Sequence, residues 1–110
     1  MMNKTITWEA PNRNIFWIAV PYNPYQRLDS IIGQVLDVIH PKTGEKTQTE
    51  ILDFLGAYPM KNLPNHLARD CTDQKFVDGE FLARHLKDKK PEFKYIQKVL
   101  FYQLAKIKNE

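Results

Sequence analysis

The run Ile15-Phe16-Trp17-Ile18-Ala19-Val20 carries no polar side chain in either alternate set. In an extended conformation successive side chains point to opposite sides, so this segment needs cover above and below. Six apolar residues are too few to cross a bilayer, which takes about 20 in a helix. The run reads instead as a strand inside a fold, closed by Pro21 and Pro24. Ahead of it, Thr5-Ile6-Thr7-Trp8 alternates as a half-buried strand does, and Ala10-Pro11-Asn12-Arg13-Asn14 supplies turn chemistry. The two strands are expected to pair antiparallel.

Beyond Pro21 the apolar spacing changes. Tyr25, Leu28, Ile31, Ile32, Val35, Val38 and Ile39 recur at helical intervals behind Asn23 as a cap and Pro24 at the first turn, which predicts a helix from Pro24 to about Val38. A rival reading ends that helix at Gly33. Gln34 to Ile51 then forms two strands joined at Pro41-Lys42-Thr43-Gly44, a proline-early, glycine-late loop. Thr47 and Glu50 have the spacing of a capping box, predicting a short helix to Leu55 with Gly56 as its stop. Residues 57–76 read as an irregular connection with one helical turn at Asn65 to Arg69, and Asp78 as the cap of a helix over Gly79 to Lys87.

Pro91 is placed to open a last helix. At about 100° per residue, Phe93, Ile96, Leu100, Leu104 and Ile107 share one face, and Lys94, Tyr95, Lys98, Tyr102, Ala105 and Lys106 share the other. The expected architecture is therefore α+β in a single domain, residues 1–110. N-terminal antiparallel strands, two or, with the second hairpin, four, pack against three or four helices, and the C-terminal amphipathic helix is central to the core.

Charge is distributed unevenly. From Arg84 to Lys108 eight basic residues stand against Asp88 and Glu92, a net +6, whereas the remaining eight basic and eleven acidic residues give −3. Such polarity bears on what kind of surface is attracted to the molecule. The expected binding residues are Arg84, Lys87, Lys89, Lys90, Lys94, Tyr95, Lys98, Tyr102 and Lys106, together with the aromatic loop residues Tyr22, Tyr25 and Arg27. Lysines neutralise phosphates or carboxylates, and exposed tyrosines stack on bases or pack on a protein partner. With Arg84 the sole arginine among the basic C-terminal residues, bidentate base reading is not expected there. The partner is accordingly nonspecifically bound nucleic acid or a protein with an acidic surface.

Catalytic patterns are sparse. Cys71, the single cysteine, could serve a hydrolase or transferase with His66 or His85, but no oxyanion-forming glycine turn accompanies it. His40, His66, Cys71 and His85 lack the short paired spacings of a zinc site, and the four separated glycines form no phosphate loop. The reading is a small non-enzymatic binding protein of adaptor or inhibitor type. No cofactor, metal or membrane is expected, and the lone cysteine suits a reducing, cytoplasmic setting.

Overall fold

The computed structural model of the chain describes residues 4–71 and 78–107. Five strands form one curled mixed sheet: β1 (Lys4–Thr7), β2 (Ile15–Pro21), β3 (Val35–Ile39), β4 (Lys46–Pro59) and β5 (Lys98–Lys106). Their spatial order is β1-β3-β4-β5-β2, with β1 parallel to β3 and every other pairing antiparallel. Two helices, α1 (Asn65–Arg69) and α2 (Gly79–Lys89), lie between β4 and β5 in the chain, and single 3₁₀ turns occupy Leu28–Ser30, Met60–Asn62 and Pro91–Phe93. The layered arrangement of strands against three or four helices is thus replaced by a sheet that dominates the molecule.

The expected C-terminal helix is β5. After Pro91 only a 3₁₀ turn forms, and the chain is extended from Lys98. The physical reason is position: β5 lies between β4 and β2 and hydrogen-bonds on both edges, with Ile51 and Phe16 both registered on Leu104. Val99, Leu100, Phe101, Tyr102 and Leu104 are buried, which means both faces of the strand are covered. A helix would have left half of that apolar run in water.

The helix predicted from Pro24 to Val38 is also absent. Its only helical segment is the 3₁₀ turn Leu28–Ser30, and Gly33, at φ +89°, adopts a backbone that a residue with a Cβ rarely takes. Gly33 N–H donates to Ile51 O at 2.7 Å and turns the chain into β3. The rival hairpin is the one formed. Gly44, at φ +72°, closes the loop with its N–H on His40 O, and His40 N–H reaches Glu45 O, both at 2.9 Å. Thr47 and Glu50 therefore sit in β4 and cap nothing: Thr49 is buried there, donating its hydroxyl to Leu36 O at 2.7 Å.

The first two strands do not pair with each other. β1 lies beside β3, and β2 is the opposite edge, beside β5. Two local expectations do hold. Asn65–Arg69 is a helical turn, and Asp78 caps α2 by accepting from Phe81 N–H at 2.9 Å. The core is one cluster running from Trp8, Phe16 and Ile18 through Leu36, Val38 and Ile51 to Leu82, Leu86 and Phe93.

Candidate functional site: a lysine-rimmed groove between the sheet edges

The sheet curls until residues of both edge strands, Lys4 to Thr7 of β1 and Ala19 to Pro21 of β2, line one groove of about 700 Å³. Lys89, Lys90 and Pro91 to Phe93, at the exit of α2, form another wall, and Leu36 and Tyr102 contribute from the sheet. A second groove, of about 440 Å³, shares Thr7, Trp8, Lys89 and Lys90 with the first and adds Glu9, Lys42 and His85. Together they surround the exposed side of β1. Among the described residues four lysines, Lys4, Lys42, Lys89 and Lys90, line these grooves against two carboxylates, Glu9 and Glu92.

Lys90 is the pivot between the two. Its Nζ donates to Thr7 O at 2.6 Å and lies 4.7 Å from the centre of the Trp8 ring. Burial pushes its pKa down, opposed by the nearby charges of Glu92 and Glu9. Trp8 itself is 2% exposed and donates Nε1–H to Cys71 O at 2.9 Å, tying the end of β1 to the segment after α1. His85 lies one helical turn before Lys89, and its pKa is lowered by burial first, with Lys90 and Lys89 adding to the shift and Glu9 and Asp88 resisting it. Tyr102 is only 6% exposed. Burial raises its pKa, and its hydroxyl accepts from Gln26 Nε2 at 2.7 Å.

The residues expected from sequence to form one row are separated. Tyr102 is buried and presents no ring face to a partner. Lys98 and Lys106 begin and end β5, about 26 Å apart at the strand rise per residue. Lys106 Nζ donates to Pro11 O at 2.8 Å, and Lys98 Nζ lies 5.9 Å from the Tyr22 ring centre. Arg84 is paired with Glu80 at 2.8 Å on the outer side of α2, where Lys87 is also exposed. Lys94 and the 86% exposed Tyr95 follow the Pro91–Phe93 turn. Of the expected set, Lys89, Lys90 and the buried Tyr102 line the groove. The loop of Tyr22, Tyr25 and Arg27 borders it, because Asn23 and Gln26 line it, but Tyr25 is 92% exposed and does not. Lys4, Lys42, Thr5, Thr7 and Trp8 were not among the expected residues. The free strand edge that gathers them is a product of long-range pairing.

Cys71 is fully buried, and that burial, with the nearby charge of Asp70, raises its thiol far above the ordinary range. A thiol held protonated is a poor nucleophile, and His66 is exposed on α1. Among the described residues no group of three or more His, Cys, Asp and Glu side chains could hold a metal ion. No helix among them is long and apolar enough to cross a membrane. Comparison with protein-family models, with curated proteins and with solved structures finds no match to this chain.

Proposed function

We propose that the protein is a non-enzymatic binding module that docks an anionic macromolecule in the groove beside β1, in a cytoplasmic setting. The observation that carries this reading is the convergence of Lys4, Lys42, Lys89 and Lys90, drawn from three separate stretches of chain, on one pair of adjoining grooves. Lysines scattered over a surface repel one another mildly and need no explanation. Four brought around one concave surface raise the local potential, because the low-dielectric walls focus the field. Lys90 is held by the fold, so Lys4, Lys42 and Lys89, all exposed, are the cations available to a partner.

The test is a fluorescence-anisotropy titration at low and moderate salt with polyglutamate and with single- and double-stranded oligonucleotides. The triple variant Lys4→Glu, Lys42→Glu, Lys89→Glu is expected to lose about tenfold or more in affinity, and binding of the natural chain should fall steeply with salt. Lys61→Glu, on the turn before α1, is the control and should bind as before. No binding to any polyanion, or an equal loss in the control, rejects the groove as the site.

A further inference from the structure

The groove has a second property besides charge: it is walled by strand edges whose hydrogen-bonding groups point into it. β1 pairs only with β3 among the described strands. Trp8 N–H turns inward to Ile39 O at 3.0 Å, whereas Thr7 C=O turns outward, to Lys90. Backbone groups alternate along a strand, so the N–H and C=O of Thr5 face outward as Thr7 does. On the opposite wall, Tyr22 N–H bonds Lys98 O and Lys106 N–H bonds Asn14 O, which puts the even-numbered residues of β2 toward β5 and Trp17, Ala19 and Pro21 toward the free side. Trp17 N–H is covered there by Asp70 O at 3.4 Å, and Pro21 has no N–H to give. Among the described residues β2 is thus a blunted edge and β1 an open one, with the Lys90 ammonium standing where the N–H of a further strand would stand.

Resting on the binding role argued above, we propose that β1 is a strand-addition site for an extended acidic segment of a partner protein, which pairs with Thr5 and Thr7 and displaces Lys90 from the Thr7 carbonyl. Strand addition takes its affinity from main-chain hydrogen bonds and its specificity from side chains at alternate positions. Acidic residues answer to Lys4, Lys89 and the released Lys90. A single-stranded nucleic acid fits the groove less well. Among the described residues its aromatic rings, Trp8, Phe93 and Tyr102, are all buried and offer no face for a base to stack on, and no arginine lines it for bidentate phosphate contact.

The probe is a labelled octapeptide of alternating Glu and Val, compared with two versions N-methylated at alternate amides in one register or the other, and with a single-stranded oligonucleotide of 12 thymidines. The unmodified peptide is expected to bind more tightly than the oligonucleotide, and N-methylation in one register or both should weaken it at least tenfold. Thr5→Pro, which removes an outward N–H and leaves the inward ladder to β3, should weaken the peptide by a similar factor with little change in Tm. Should Thr5→Pro fail to fold, the methylated peptides on the natural chain decide the matter. Equal binding of all three peptides overturns strand addition while leaving polyanion binding in place. Tighter binding of the oligonucleotide, or no binding of the octapeptide, also overturns it, and only the loss of every polyanion interaction reaches back to the proposed function.

Discussion

Gly79 shows how one residue sets the wall of the groove. It opens α2, its N–H donates to Asn65 Oδ1 at 2.9 Å, and a Cβ at this position would fall on the carbonyl oxygen of Leu63, with the Leu63 carbonyl carbon 2.6 Å away. Replacing glycine by alanine in a helix ordinarily stabilises by up to about 1 kcal/mol. Here the obstacle is backbone, which cannot rotate aside as a side chain can, so overpacking should win and Gly79→Ala should cost about 1–3 kcal/mol. Urea denaturation checks the sign: an unchanged or raised midpoint would mean that the 59–64 segment yields freely. Because Lys89 ends the same helix, a shifted α2 would also carry a lysine out of the groove. At this scale the sequence was readable for the Asp78 cap, a matter of neighbouring residues. The close approach of Gly79 to Leu63 was not, since nothing local marks it.

For the secondary-structure elements, β5 is the instructive case. Leu100 and Phe101 are consecutive and point to opposite faces, yet neither is exposed. Leu100→Ala and Phe101→Ala are each expected to cost at least about 2 kcal/mol by chemical denaturation, the range for deleting a fully buried large side chain. An amphipathic helix would make neighbouring positions unequal, so a near-neutral result at either one contradicts the strand. The same burial explains why the sequence of β5 reads as a helix. A strand covered on one face announces itself by alternation, as Thr5 to Trp8 does, but one covered on both is a continuous apolar run that fits helical spacing equally well. Its partners decide, and they lie far off in sequence: Phe16 on one side and Ile51 on the other. β3 and β4 are legible in the sequence only as the rival reading: the Pro41 to Gly44 loop is a local signal for the hairpin, but the helical spacing up to Ile39 and the Thr47–Glu50 spacing favour helices over the same residues. The groove was half legible. Lys89 and Lys90 stand out in a basic stretch, whereas Lys4 and Lys42 acquire meaning only when β1 settles beside β3.

Across the whole molecule, the strand order makes the end of the chain indispensable. β5 joins β2 to the β1-β3-β4 half of the sheet, and no other described strand contacts both. Without it β2, apolar on both faces, has no ladder, and β4 loses one of its two partners. Removing β1 instead strips a four-residue edge and a single ladder. A chain ending at Gln97 should therefore show no cooperative thermal transition and no near-UV circular dichroism, while one lacking residues 1–7 should still melt cooperatively at a lower Tm. Pairings this distant in sequence also bear the full entropy of loop closure before any contact forms, which places refolding of the complete chain in the millisecond-to-second range typical of sheets built from non-local contacts. Stopped-flow fluorescence of Trp8 and Trp17 would follow it. A cooperative transition in the chain ending at Gln97 would show that the two halves of the sheet hold together without β5, and the groove between the sheet edges would then need another cause.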